Sequence, residues 1–130
     1  RCPVEKAERS LFANLDEGDI VFIDSSQVIR PQGDVLFEYL TLLPTLRRGV
    51  VVHIHDIFSP RDYLDEWVKD KVLFWNEQYL VEAFLTSNND WKIMAALNLL
   101  RHRAFDQLRT VCPYITAERE PGSLYLKKLN

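Results

Sequence analysis

Carboxylates and a histidine stand at the ends of two apolar segments of this chain. Asp24 follows the segment 20–23, and the segment 50–55 ends in His55, with Asp56 directly after it. An imidazole titrates near neutral pH and can take the proton of an acceptor hydroxyl. His55 is therefore a candidate catalytic base, with Asp56 as the second catalytic residue that orients it. Alternatively, Asp24 and Asp56 are a metal pair for Mg²⁺ or Ca²⁺, cations that prefer oxygen ligands.

Each of these polar residues also has a purely structural interpretation. Aspartates at strand ends often cap the turn that follows, and a strand histidine can pack beneath a helix with both nitrogens bonded. The packed interpretation is the better one for His53, whereas both stay open for His55, two residues further on the same face. Ser25 and Ser26 either donate to the carboxylate of a cofactor or cap the loop. They are not a nucleophile elbow, because no Gly-x-Ser-x-Gly surrounds them.

The two apolar segments are typical of neighbouring strands in a parallel sheet. Both are rich in β-branched residues, as expected of strands that helices cover on two faces. Between them we predict a crossover helix that begins at the N-cap Asp34 and bends or ends at Pro44. Ligands bind outside the carboxyl ends of parallel strands. We therefore expect Asp24 and Asp56 to open into one crevice.

Helices and strands alternate along the rest of the chain. The patterns predict helices over 4–15, from Ser59-Pro60 onward, over 76–85 and from Asn98 to about 111. They also predict a third strand over 91–97 and an antiparallel, half-exposed last strand over 123–128. This alternation predicts a single α/β domain over residues 1–130. The expected fold is a Rossmann-like three-layer sandwich, a mostly parallel sheet with an antiparallel last strand.

The bulk composition narrows the class of protein. The chain has 130 residues, of which 47% are hydrophobic and 27% charged, and its net charge is −3. That charge gives no general attraction to nucleic acid or to an anionic membrane surface, and no apolar run approaches the roughly 20 residues that span a bilayer. Cys2 and Cys112 have no metal-ligand spacing, so we expect free thiols in a reducing cytoplasm; a single disulfide is the alternative.

A further pattern is spread over nearly the whole chain. It consists of GDIVFIDSS at 18–26, GDV at 33–35, LLP at 42–44, GVVVHIHDIF at 49–58, FWNEQYL at 74–80 and SLYL at 123–126. Together these segments resemble the class I S-adenosylmethionine-dependent methyltransferases of the methyltransferase domain 24 type. The resemblance implies that the chain corresponds to the C-terminal half of that fold, strands four to seven with their helices. It also implies S-adenosylmethionine as cofactor, faced by Asp24, Ser25 and Ser26, and a small-molecule or sugar acceptor beside His55.

Two departures from the family pattern concern the cofactor. The family carries a glycine-rich loop after its first strand and an acidic residue after its second, and neither is present here. The four glycines never form Gly-x-Gly, and Gln27 stands where the family tends to have histidine. The resemblance therefore implies that the cofactor-binding half is absent from this chain and that the chain alone is inactive.

The missing half would leave an apolar strand at 20–23 without a partner on one side. Such an edge aggregates unless it is covered. We expect it to pair with a second copy of the chain, giving a homodimer, or with the absent N-terminal half. The alternative function is a non-catalytic α/β interaction or oligomerisation module that keeps the fold and lacks the cofactor half.

Overall fold

A computed structural model of the chain describes residues 3–130, so Cys2 lies outside the described part. The fold is a mixed α/β arrangement of one open four-stranded sheet and six α-helices. The strands are β1 (Ile20–Ile23), β2 (Val51–Ile54), β3 (Trp91–Ala96) and β4 (Leu124–Lys128). The helices are α1 (Arg9–Ala13), α2 (Asp34–Phe37), α3 (Leu43–Thr45), α4 (Glu77–Leu85), α5 (Leu97–Arg103) and α6 (Phe105–Val111).

The sheet has the order β1-β2-β4-β3. β1 and β2 are parallel, with Ile20 opposite Val51 and Ile23 opposite Ile54. β4 runs antiparallel to both of its neighbours, β2 and β3. The predicted antiparallel last strand is confirmed. The sheet was expected to be mostly parallel, but it is mixed. Of the three described strand pairings, β1–β2 is parallel and the other two are antiparallel.

The hydrophobic core lies on one face of this sheet. Val21 and Ile23 of β1 are buried together with the alternate residues of β2 and β4, which pack against the segment from α2 to α3. On the opposite face, the side chains of Ile20 and Phe22 are 62% and 56% exposed. Within the part of the chain that the structure describes, the prediction that helices cover both faces is therefore wrong for β1.

The crossover between β1 and β2 is helical but not regular. α2 begins at Asp34 itself, with Gly33 in the N-cap position, so the predicted N-cap is displaced by one residue. A π-helical turn, Glu38–Leu42, then connects α2 to α3. α3 ends at Thr45, directly after Pro44, as predicted. The widened turn precedes the proline, which has no N–H to contribute to a helical ladder.

Two predicted helices are interrupted. The segment 4–15 forms a 3₁₀ turn (Val4–Lys6) and α1, separated by extended backbone, and neither piece has a buried residue that would hold it as one helix. The segment after Asn98 is broken at Ala104 into α5 and α6. Asn98 lies inside α5 and caps nothing, because its buried amide donates to Glu120 instead.

The helix predicted from Ser59-Pro60 does not form. Apart from a π-helical turn at Glu66–Asp70, the segment before α4 is irregular. Its backbone groups bond to a side chain of α4: the Gln78 carbonyl accepts from the N–H of Phe58 at 2.7 Å, and its amide donates to the Arg61 carbonyl at 2.8 Å. Backbone groups satisfied in this way do not need a helical ladder.

Candidate functional site

The parallel pairing of β1 and β2 brings three polar side chains to one point. The N–H of His55 donates to the carbonyl of Ile23 at 2.9 Å, which extends the ladder one step beyond β2. Nδ1 of His55 lies 3.0 Å from Oδ1 of Asp56 and 3.7 Å from Oδ1 of Asp24. Ligand atoms of all three residues lie within 4.8 Å of one another. The predicted meeting of Asp24 and Asp56 at one edge of the sheet is confirmed. We call these three residues the strand-end cluster.

A close backbone contact holds Asp56 in place. Asp56 has φ 58°, in the left-handed region that few residues other than glycine adopt. The N–H of Ile57 donates to the carbonyl of Gly122 at 2.9 Å. A Cβ at Gly122 would lie 2.9 Å from Cα of Asp56 and 3.0 Å from the ring of Phe58. A glycine at 122 is therefore needed for this turn to pack where it does.

Burial and neighbouring charges set the electrostatics of the strand-end cluster. Burial raises the pKa of Asp56, and the charge of Asp24 acts in the same direction, while His55 opposes both. Nδ1 of His55 is buried and makes no well-aligned hydrogen bond, although it faces both carboxylates. His53, the neighbour on the same strand, has its pKa lowered by burial and by His55.

His53 is packed, but between side chains of the neighbouring strands β1 and β4 rather than beneath a helix as expected. Its Nε2 lies 3.0 Å from the hydroxyl of Ser123, and its ring stacks on Tyr125 with centroids 4.3 Å apart. Phe22 contacts the other side, with ring centroids 4.8 Å apart. His53 is therefore a structural residue of this face of the sheet.

The donor set of the strand-end cluster fits a divalent ion. Within residues 3–130, this is the group of His, Cys and acidic side chains whose donor atoms converge. The orphaned, buried Nδ1 of His55 adds a nitrogen to the two carboxylates of Asp24 and Asp56. A nitrogen ligand is typical of transition-metal ions rather than of Mg²⁺ or Ca²⁺. The sequence interpretation included the two aspartates but not the nitrogen.

The two serines after β1 bond to acids of α2 and of the π-helical turn. The hydroxyl of Ser25 donates to Glu38 at 2.9 Å. Ser26 donates to Asp34 twice, from its N–H at 2.9 Å and from its hydroxyl at 2.6 Å. Burial alone would raise the pKa of Asp34, but the two bonds from Ser26, a bond from the backbone N–H of Val35 and the charge of Arg30 together lower it. Both serines thus organise the loop that presents Asp24.

Two clefts adjoin the strand-end cluster. The polar cleft has a volume of about 480 Å³, and its lining includes Phe22, Asp24, Ser25, Arg30, Asp34 and Glu38. The aromatic cleft has a volume of about 610 Å³, and its lining includes His55, Asp56, Trp67, Tyr114, Ile115 and Arg119. The cluster therefore connects a wall rich in acids with a more apolar wall. The loop 112–122, which supplies much of the aromatic cleft, carries no motif that identifies it from sequence.

Two buried carboxyl groups behind the β1 loop were also not predicted as site residues. Glu77 is fully buried and accepts a hydrogen bond from the hydroxyl of Tyr39 at 2.7 Å, while its Oε2 has no partner. Burial raises the pKa of Glu77 and that of Glu38 to about 7. The carbonyl of Gln27 accepts from the N–H groups of Asn76 and Glu77 at 3.0 and 3.1 Å. The start of α4 thereby fixes the loop after β1.

Comparisons of the chain with protein-family models, with curated proteins and with solved structures find no significant match. Among the described helices, none combines the length and the apolar character needed to cross a bilayer.

Proposed function

We propose that this chain is the C-terminal part of an S-adenosylmethionine-dependent methyltransferase that acts on a hydroxyl of a small-molecule or sugar acceptor. The observation that carries the proposal is the strand-end cluster, a histidine between two carboxylates at the carboxyl ends of two parallel strands. The clefts on either side give a cofactor and an acceptor separate walls. The sequence segments that resemble the methyltransferases include both of these strands.

His55 is the base of the proposed reaction. Its Nδ1 faces Asp56 and Asp24, which leaves Nε2 to accept the proton of the acceptor hydroxyl. The carboxylates of Asp56 and Asp24 lie 3.0 and 3.7 Å from Nδ1 and hold the imidazole ring in this orientation. S-adenosylmethionine would supply the methyl group as a sulfonium, and the carbon–sulfur electron pair would leave with the neutral thioether when the acceptor oxygen takes the methyl carbon. The proton remains on His55 until solvent removes it.

The polar cleft would face the cofactor. The carboxyl groups of Asp24, Asp34 and Glu38 give this wall an acidic character that suits a positively charged ligand. The hydroxyls of Ser25 and Ser26 are already engaged by Glu38 and Asp34, so Asp24 is the better candidate for contact with the cofactor. The remaining walls would come from the cofactor-binding half, and without it the chain would be inactive. We place the protein in the cytoplasm, where Cys112, a free thiol, stays reduced.

A divalent ion is a second way to use the same cluster. Asp24, Asp56 and Nδ1 of His55 would hold it, and it would polarise the acceptor hydroxyl in place of a base. Titration with Mn²⁺ and with Mg²⁺ tests this version. Metal binding that falls at least tenfold in both Asp24→Asn and Asp56→Asn supports it; no saturable binding by the parent chain rules it out.

The test of the main proposal is binding and turnover with the cofactor. Calorimetry should show little S-adenosylmethionine binding to the 130-residue chain and clear binding once the cofactor-binding half is present. Methyl transfer to a panel of hydroxylated small molecules and sugars should then appear. His55→Gln should reduce it by about 10²–10⁴-fold, the usual contribution of a general base. His53→Gln, two residues earlier on β2, is the matched control. Absence of both binding and transfer would contradict the proposal.

The free edge of β1 favours a second candidate, a non-catalytic interaction or oligomerisation module. Among residues 3–130, β1 pairs with β2 on one side only, and the exposed Ile20 and Phe22 lie on its open face. In a parallel ladder alternate residues bond to the same neighbour, and residues 19 and 23 bond to β2. The backbone groups of Ile20 and Phe22 therefore point outward, ready for a strand from a second copy or from the absent half. A module should dimerise yet gain no methyl transfer from the other half.

A further inference from the structure

We infer that the aromatic cleft binds a ring that carries both a hydroxyl and a carboxylate, and that Arg119 binds the carboxylate. The inference rests on the proposed function, because it takes His55 as the end of the cleft where the hydroxyl reacts. It adds the chemical class of the acceptor and a specificity-determining residue.

The apolar wall of the cleft is rigid where a flat ring would lie. Trp67 is held edge-to-face by Phe58 and Trp75, with ring centroids 5.3 and 5.1 Å apart. Tyr114, which is 93% exposed, and the partly buried Ile115 line the same cleft. A volume of about 610 Å³ lies in the range of pockets that bind small molecules. Aromatic side chains of this kind suit the face of a planar ring or of a sugar.

Two charged residues in the lining of the aromatic cleft, Glu120 and Arg119, differ in whether they have partners within the protein. Glu120 accepts hydrogen bonds from Asn98 at 2.7 Å and from His102 at 2.9 Å, and its carboxylate lies 3.5 Å from the guanidinium of Arg101. Its negative charge is therefore compensated within the protein. Arg119 is exposed and forms no ion pair with any residue of the described range 3–130.

Among the described residues, Arg119 is thus a cation without an ion-pair partner in the lining that also contains His55 and Asp56. A guanidinium forms paired hydrogen bonds with a carboxylate. The loop that carries Arg119 is anchored to the Asp56 turn, because the carbonyl of Gly122 accepts from the N–H of Ile57. The loop that carries Arg119 and the turn at Asp56 are therefore joined through the backbone, and Arg119 lines the same cleft as His55.

Direct binding to the 130-residue chain tests the inference without the cofactor. Two acids and their neutral counterparts are titrated by calorimetry and by NMR: para-hydroxybenzoate against phenol, and glucuronate against glucose. At least one acid should bind tenfold or more tighter than its counterpart, as a charge-assisted hydrogen bond provides. Which acid does so distinguishes an aromatic from a sugar acceptor.

Arg119→Gln should remove this preference for the acid, while Arg103→Gln, an exposed arginine outside the cleft lining, should keep it. Unchanged amide spectra establish that both variants fold. If neither acid binds better than its counterpart, or if Arg119→Gln retains the preference, the inference is overturned. Methyl transfer tests the proposed function separately. An acid that binds through Arg119 but is never methylated would support the proposed binding site and contradict the proposed reaction.

Discussion

Replacing Glu77 with glutamine isolates the free-energy cost of ionising a buried group. Glu77 is fully buried, receives one hydrogen bond from Tyr39, and has one oxygen without a partner. Burial raises its pKa from 4.5 to about 7. Glutamine has nearly the same shape, keeps a carbonyl for the tyrosine hydroxyl and never ionises.

The direction of the effect follows from proton linkage. Between pH 4.5 and about 7 the folded chain keeps a proton on Glu77 that the unfolded chain has lost. The stability that this carboxyl contributes is therefore complete below about pH 4.5 and is lost as the pH rises to about 7. One pKa unit corresponds to about 1.4 kcal/mol, so the full loss is about 3 kcal/mol. Glu38, whose pKa burial also raises to about 7, acts in the same direction.

The assay is urea unfolding at about pH 5 and about pH 8. The free energy of unfolding of the parent chain should fall from about pH 5 to about pH 8. In Glu77→Gln this fall should be smaller by about 2–3 kcal/mol. It keeps part of the pH dependence because Glu38 remains. Glu82→Gln, on the exposed side of the same helix, is the matched control and should follow the parent chain.

Equal pH dependence in the parent chain and in Glu77→Gln would refute the reasoning. A Glu77→Gln variant that is less stable than the parent chain at about pH 8 would refute it too. Either result would mean that the ionised carboxylate has a favourable partner in the folded protein.

Three further substitutions test the surroundings of the site. Tyr39→Phe removes the hydrogen bond to Glu77 and should lower the free energy of unfolding in urea by about 1–3 kcal/mol, more at about pH 8 than at about pH 5. An equal loss at both pH values would contradict this prediction. Phe22→Lys places a charge on the β1 edge and should reduce the association of the chain with itself, measured by light scattering. Met94→Lys, similarly exposed on β3, should not reduce it. A monomeric parent chain would contradict this prediction. Gly122→Ala crowds Asp56 and should cost about 1–3 kcal/mol; an unchanged unfolding midpoint would show that the contact relaxes freely.

The strand ends were predictable from the sequence because the information is local. Runs rich in β-branched residues at 20–23 and 50–54 indicate parallel strands, and parallel strands place their carboxyl ends at one edge. That rule alone brings Asp24 next to Asp56. The last strand and α4 were also predicted nearly at their observed bounds, since alternation at 123–128 and helical spacing at 76–85 are both clear.

Other parts depend on contacts between residues distant in the chain. Gln78 binds the backbone of Phe58 and Arg61, which replaces the predicted helix with an irregular segment. The burial of Glu77 depends on its position against Tyr39, 38 residues earlier. In β1, exposed and buried residues alternate, but the sequence does not show this. The exposed Ile20 and Phe22 are as apolar as the buried Val21 and Ile23, so the strand reads as buried on both faces.

The aromatic cleft shows the same limit. Its polar groups Arg119 and Glu120 are separated from His55 by more than sixty residues of chain, and the pairing of β2 with β4 together with the packing of Gly122 against the Asp56 turn brings them together. A charged loop of this composition is typical of a solvent-exposed connection. No spacing within it indicates a binding wall.

The most direct test of the central claim is methyl transfer from S-adenosylmethionine by the polypeptide that carries the cofactor-binding half, measured for the parent sequence and for His55→Gln. We predict transfer by the parent, and a loss of about 10²–10⁴-fold in the variant with cofactor binding retained. Transfer that is equal in both would contradict the assignment of His55, at the carboxyl end of β2, as the base.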